Sequence, residues 1–248
     1  MSATAVVLAA GKGTRMKSDL AKVLFPIDGR PMVEHVLDAV EAARVERTIV
    51  VVGHQHERVR EALATRMVEF ALQAEQMGTG HAVMMAAPLL AGDRGDVVVL
   101  AGDVPLIRSG TIADLVASRR RTGVAVTVLT ALLPDPTGYG RIIRDGEGRV
   151  IAIREHRDCA PGELEVREIN SSIYAFHAPF LLRALPALER NNNQGEYYLT
   201  DTVGQAVAAG LAVDGLIVDD FQELAGVNTI EQLQESERSL RARNGTSP

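Results

Sequence analysis

A single cysteine, Cys159, is present in the sequence. With no second thiol it can form no internal disulfide, and a cysteine-rich zinc site is excluded. A reducing, intracellular setting is expected, and with it a soluble, cytoplasmic protein. Long hydrophobic stretches are missing too. The longest apolar runs, such as Ala5–Ala10 and Val97–Ala101, fall far short of the roughly 20 residues that a membrane-spanning helix needs. No basic segment leads into a hydrophobic one at the N-terminus, so no signal peptide is expected. Nor is positive charge in excess: 26 Lys and Arg against 32 Asp and Glu leave a net charge of −6, which argues against a nucleic-acid partner. Repeats, low-complexity segments and long linkers are absent as well. What remains is 248 residues, 46% hydrophobic and 23% charged. A chain of that kind buries roughly 70–75% of its unfolded surface without disulfides or a structural metal.

Through the first half, Val- and Ile-rich runs alternate with helix-period segments. Thr4–Ala10, Thr48–Val52, Met67–Leu72, Asp96–Ala101 and Gly123–Leu129 read as strands. Between them, Pro31–Ala43, Glu57–Ala64, Gly80–Ala87 and Thr111–Arg120 read as helices, the first with Met32, Val33, Val36, Leu37 and Val40 on one face and Pro31 in its first turn. This alternation predicts an α/β fold with a mainly parallel sheet covered on both faces. After Pro134 the texture changes. A turn-rich stretch leads into a β-hairpin, Arg141–Arg144 with Val150–Arg154, and then a strand at Ile169–Phe176. Phe180–Leu188, Leu199–Ala209 and the charged Thr229–Ala242 read as helices, and the tail Arg243–Pro248 is expected to fray. A single domain in three parts is expected: about residues 1–133, 134–228 and 229–248.

The first strand runs into a glycine-rich loop, Ala9-Ala10-Gly11-Lys12-Gly13-Thr14-Arg15. Glycines let backbone N–H groups approach an anion closely, and Lys12, Arg15, Lys17 and Lys22 add positive charge. A Walker A loop needs glycine at position 6, which is Val6, and the dinucleotide fingerprint needs it at position 16, which is Met16. Both are rejected. Taken alone, the loop reads equally well as a solvated β–α connection.

Leu8–Met16, followed by Lys22 and Pro26, resembles the signature of sugar-1-phosphate nucleotidyltransferases. Gln73-Ala74-Glu75-Gln76-Met77-Gly78-Thr79-Gly80-His81-Ala82 narrows the resemblance, together with Gly102–Leu106, Gly138–Ile142, Glu168–Asn170 and Gln194–Asp201. It is to the uridylyltransferase half of bifunctional N-acetylglucosamine-1-phosphate uridylyltransferases/glucosamine-1-phosphate acetyltransferases. The motifs keep that family's order from about residue 4 to about residue 235. The resemblance implies a Rossmann-like nucleotidyltransferase fold, with a nucleotide-binding first part and a β-rich, sugar-binding second part.

It also implies roles. Leu8, Ala9, Ala10 and Gly11 would lie against the nucleotide, while Gln73, Gly78 and Thr79 would read the uracil. An amide such as Gln73 suits a base edge because it carries a donor and an acceptor together; without its motif, it reads as an exposed strand-end amide. Ala101, Gly102 and Asp103 would line the substrates, with Asp103 and Asn228 as ligands of Mg²⁺, a cation that takes hard oxygen donors. Asp103 could equally be a turn residue and Asn228 a helix cap. Gly140, Glu155 and Asn170 would surround the N-acetylglucosamine moiety; outside the family pattern, Glu155 is a surface hairpin charge and Asn170 a turn amide. Tyr197 and Tyr198 read more naturally as packing residues.

The implied reaction is attack of the N-acetylglucosamine 1-phosphate oxygen on the α-phosphorus of UTP. Arg15 would stabilise the leaving pyrophosphate and Lys22 would neutralise the reacting phosphates. The alternatives are another sugar phosphate or base, and a catalytically silent nucleotide-sugar-binding protein. No nucleic-acid or membrane partner is implied, and a homo-oligomer is compatible with the sequence. Two departures stand out: Ser171-Ser172 follows Asn170 where the family commonly has Thr-Gly or Ser-Gly, and Ala21 precedes Lys22 where proline is usual. The hexapeptide-repeat β-helix that carries acetyl transfer has no counterpart here, so acetyl transfer is not expected.

Overall fold

Successive residues of a strand point to opposite faces, so Val-rich runs covered on both sides make two cores. The computed structural model describes residues 2–16, 18–243 and 245; Lys17 and most of the tail beyond Arg243 lie outside the described residues. In chain order the elements are β1 (Ala3–Ala9), β2 (Pro26–Ile27), β3 (Arg30–Pro31), α1 (Met32–Ala42), β4 (Arg47–Val52), α2 (His56–Ala62), β5 (Glu69–Leu72), α3 (Thr79–Ala86) and β6 (Asp96–Ala101). They continue with α4 (Ser109–Thr122), β7 (Val126–Leu132), β8 (Arg141–Arg144), β9 (Val150–Arg154), β10 (Glu168–His177), α5 (Ala178–Ala184), α6 (Asp201–Ala208), β11 (Val213–Ile217) and α7 (Ile230–Arg243).

Among the described residues one sheet has the order β11-β7-β10-β6-β1-β4-β5, with β8 attached to β10 and β9 to β8. β1 pairs in parallel with β4 and β6, β4 with β5, and β11 with β7. β10 is antiparallel to both β6 and β7. The fold is thus α/β with a mainly parallel mixed sheet, as the alternation of runs predicts. Val97 and Val99 of β6 join one core with α3, α5 and α6 residues such as Val83, Leu181 and Val203. Val98 and Leu100 join the other with Val36 of α1, Val59 of α2 and Leu115 of α4. No helix among the described residues is long and apolar enough to cross a membrane.

The differences from the sequence reading have local causes. α4 runs on to Thr122 and is closed by Gly123, whose φ of +68° and N–H to Arg119 O make it a left-handed cap; β7 therefore begins at Val126 rather than at Gly123. The expected helix over 180–188 is α5 followed by a tight turn at Leu185–Ala187, where Pro186 interrupts the helical ladder. Pro31 precedes the first turn of α1 with an extended ψ of 135° instead of lying within it. β11 has no counterpart in that reading. Asp214-Gly215 breaks its apolar pattern, and the strand exists through its pairing with β7.

One buried carboxylate anchors the central strand. Asp96, at the start of β6, is 1% exposed and is ion-paired with Arg119 and with Arg120 of α4. Removing one partner of such a buried group leaves the other uncompensated. Asp96→Ala should therefore lower unfolding stability by about 3–5 kcal/mol, read as a fall in the urea midpoint with the slope unchanged. A midpoint close to that of the parent chain would show that Arg119 finds water or another acceptor instead.

Candidate active site

Because β10 alone of the seven central strands runs the other way, the carboxyl ends of β1, β4, β5 and β6 share an edge with the start of β10. Ligands of open α/β sheets bind at that edge. Here it holds a cleft of ≈ 410 Å³. Of the residues named from the sequence, Leu8, Ala10, Gly11, Lys22, Gln73, Gly78, Thr79, Ala101, Asp103 and Glu155 line it. Ala9, Gly102, Gly140 and Asn170 are buried and do not line the cleft. Gly102 donates its N–H to Leu8 O at 2.8 Å, and a Cβ there would lie 3.0 Å from that oxygen, so the β1 and β6 ends can meet closely. Arg15 stands exposed on the 14–16 turn and does not line the cleft.

Gln73 follows directly on β5 and is buried. Its Nε2 donates to Gly78 O at 3.1 Å and lies 3.1 Å from His81 Nδ1. The expectation that this amide offers donor and acceptor together is corrected to that extent: its donors are engaged, and Oε1 is left to accept. Gly78 has a φ of +106°, and a Cβ would sit 2.6 Å from Tyr197 O, so glycine is required twice over. Thr79 opens α3, and its Oγ1 accepts the Leu199 N–H at 3.2 Å. Gly80 N–H donates to Tyr197 O, and Tyr197 N–H to Met77 O, both at 2.8 Å. Tyr197 packs on His81, as expected of a packing residue. Tyr198 does more. It lines the cleft, its hydroxyl donates to Asp158 Oδ2 at 3.1 Å and accepts from Gln194 Nε2 at 2.8 Å, and burial pushes its pKa up to about 12.

At Lys22, three residues distant in sequence meet. Lys22 Nζ is ion-paired with Asp103 Oδ2 and donates to Asn228 Oδ1 at 2.7 Å. The meeting is built by backbone: Val227 N–H donates to Asp103 O at 2.9 Å, which lays the 226–228 segment beside the end of β6. Gly13, with a φ of +63°, packs against Lys22 where a Cβ would be 2.6 Å from Lys22 Cβ. Asn228 is not the helix cap. Thr229 is, with its Oγ1 accepting the Gln232 N–H at 3.3 Å while Gln232 Oε1 accepts the Asn228 and Thr229 N–H groups. Asn228 thereby keeps its Oδ1 for Lys22, its Nδ2 donates to Gly226 O at 3.2 Å, and it does not itself line the cleft. Two hard oxygens aimed at one positive centre are a donor set that fits a magnesium ion, with phosphate oxygens and water completing its shell. No group of three or more His, Cys, Asp or Glu that could hold a metal occurs among the described residues.

Glu155 also lines the cleft, and burial holds its carboxyl above the ordinary range, with the charges of Asp158, Asp201 and Glu196 adding to this. Its Oε1 accepts from Thr200 Oγ1 at 3.4 Å. Gly140 O accepts the Asn170 N–H at 2.9 Å, and a Cβ on Gly140 would lie 3.5 Å from both Glu155 Oε2 and Asn170 Cβ. These three are neighbours, with Glu155 alone of them lining the cleft. Tyr174 and Thr200 also line it and were missed; Ser172, singled out in the sequence as a departure from the family pattern, lines it too. Thr200 carried a signal, since it sits in the Gln194–Asp201 motif; Tyr174 lies in an ordinary apolar strand pattern and carried none.

The MobA-like NTP transferase domain family matches residues 5–160. The chain belongs to that family. Among curated relatives, the proteins named Bifunctional protein GlmU of Pelobacter propionicus and Pelotomaculum thermopropionicum are 51% and 49% identical over 240 and 243 residues. These alignments cover 96% and 98% of this chain, and 52% and 53% of the relatives. The GlmU of Geobacter metallireducens is 50% identical over 240 residues, 96% of this chain and 50% of its own. This member of the NTP transferase family thus spans about half the length of the curated relatives it matches. The resemblance carried by Leu8–Met16 and Gln73–Ala82 holds along nearly the whole chain.

Proposed function

We propose that this chain transfers UMP from UTP to N-acetylglucosamine 1-phosphate, giving UDP-N-acetylglucosamine and pyrophosphate. The observation that carries this reading is the set of groups gathered at one cleft: Gln73 and Gly78, Lys22 with Asp103, and Glu155 with Thr200. These are the kinds of group that a base, a chain of phosphates and a sugar require. Residues 1–133 would hold the nucleotide and 134–228 the sugar, with 229–248 as the C-terminal helix and tail.

Gln73 Oε1, the free acceptor, suits the N3–H donor of uracil, where cytosine would present a second acceptor. Ala10 and Gly11 lie where the ribose and first phosphate must pass. The oxygen of the sugar phosphate is ionised at neutral pH, so no general base is needed. It bonds to the α-phosphorus while the bond to the bridging oxygen breaks, and catalysis reduces to positioning and charge stabilisation. Lys22 is held beside the reacting phosphates by Asp103 and Asn228. Arg15, which stands outside the cleft wall, would stabilise the pyrophosphate as it departs. Magnesium, when bound by Asp103 and Asn228, would neutralise phosphate oxygens. Glu155 accepts from sugar hydroxyls.

Pyrophosphate release with each nucleoside triphosphate against a panel of sugar 1-phosphates tests this. UTP with N-acetylglucosamine 1-phosphate should be used best, and chelation of divalent cations should stop release. A clear preference for another nucleotide would overturn the base assignment. Binding of UTP with no release under any pairing would identify a silent nucleotide-sugar-binding protein.

A further inference from the structure

Strand β10 leaves register between Asn170, opposite Thr130, and Tyr174, opposite Val128. The resulting bulge is sewn from within by Ser171, whose Oγ donates to Leu129 O at 2.7 Å and accepts the Ile173 N–H at 3.2 Å. Ser172 is the residue turned out of the sheet. It has a φ of +63°, donates its N–H to Asn170 Oδ1 at 3.0 Å, and is exposed in the wall of the cleft. A left-handed backbone disfavours every residue with a Cβ, so glycine would serve better if the turn were all that mattered. Bulges beside binding sites re-aim side chains, and strain kept in such a place points to a use for the side chain.

The surroundings say what that use is: Ser172 lines the same cleft as the carboxyl of Glu155 and the hydroxyl of Thr200, and a serine hydroxyl can both donate and accept.

We infer that Ser172 is a sugar-recognition residue, its hydroxyl hydrogen-bonding to the sugar of a bound nucleotide sugar, beside Glu155. This rests on the reading of the cleft as a nucleotide-sugar site.

Calorimetric titration of the parent chain, Ser172→Gly and Ser172→Ala with UDP and with UDP-N-acetylglucosamine tests it without turnover. Both variants should bind UDP-N-acetylglucosamine about tenfold more weakly, the loss expected for one hydrogen bond, and UDP within twofold of the parent. Ser172→Gly should melt at or above the parent temperature, because glycine relieves the backbone, so misfolding cannot account for its loss. Unchanged or tighter binding of UDP-N-acetylglucosamine by Ser172→Gly would overturn the inference, as would an equal loss for UDP. If the parent chain binds no UDP, the uridylyl reading fails by itself. The comparison is then made with N-acetylglucosamine 1-phosphate, where the same tenfold loss is expected and an unchanged Kd overturns the role of Ser172.

Discussion

Arg15→Ala should lower kcat by on the order of 10²–10³-fold, the usual loss when a preorganised stabiliser of developing charge is removed. Arg15 is exposed and has no ion pair among the described residues, so its charge is not neutralised in advance. Lys22, by contrast, is already engaged by Asp103 and Asn228. Negative charge grows on the pyrophosphate as the bond to the α-phosphorus breaks, and an unengaged guanidinium gains most at that moment. An interaction stronger in the transition state than in the ground state appears in kcat, so KM for UTP should move by roughly threefold at most. Arg15→Lys should recover part of the rate, since an ammonium supplies the charge without the planar fork. Steady-state pyrophosphate release at saturating substrates is the measurement. A raised KM with kcat intact would show that Arg15 only anchors UTP.

Asp103→Asn should reduce kcat by on the order of 10²-fold at millimolar Mg²⁺, because Lewis-acid stabilisation is worth several kcal/mol. Two effects combine. The amide keeps an oxygen but loses the negative charge that faces the cation, and Lys22 loses its ion-pair partner. Raised Mg²⁺ should restore the first and leave the second, so rescue should be partial. Mn²⁺ binding followed by electron paramagnetic resonance should weaken in parallel, independently of turnover. Full activity at low Mg²⁺ would make Asp103 a turn residue and place the cation elsewhere.

Several of the site residues were legible because their neighbours in sequence are their neighbours in space. Gln73 and Gly78 are five residues apart and bonded directly, so a motif of ten residues contains that pair. Gly13, Gly78 and Gly123 were visible as glycines, and each has a positive φ. The alternation of runs rich in Val with helix-period segments similarly placed β1, β4, β5, β6 and the helices between them, since burial on both faces writes itself as a continuous apolar run. β11 was not legible. It is an edge strand with Asp214 and Gly215 at its centre, and pairing with β7 makes it a strand.

The sequence by itself determined the α/β class, the positions of most elements and the residue types available for phosphate, metal and sugar. Tertiary structure decided which of them meet. Lys22 lies 81 residues from Asp103 and 206 from Asn228, and nothing local to any of the three indicates that one ammonium is shared by both oxygens. It also decided that Thr229, not Asn228, caps α7, that the donors of Gln73 are already engaged, and that Ser172 is turned into the cleft. The reason is the same in each case. Hydrophobic period and turn chemistry act over a few residues, whereas the placement of these polar groups depends on strand order and on a bulge set by the register of β10 against β7, which are contacts between distant parts of the chain.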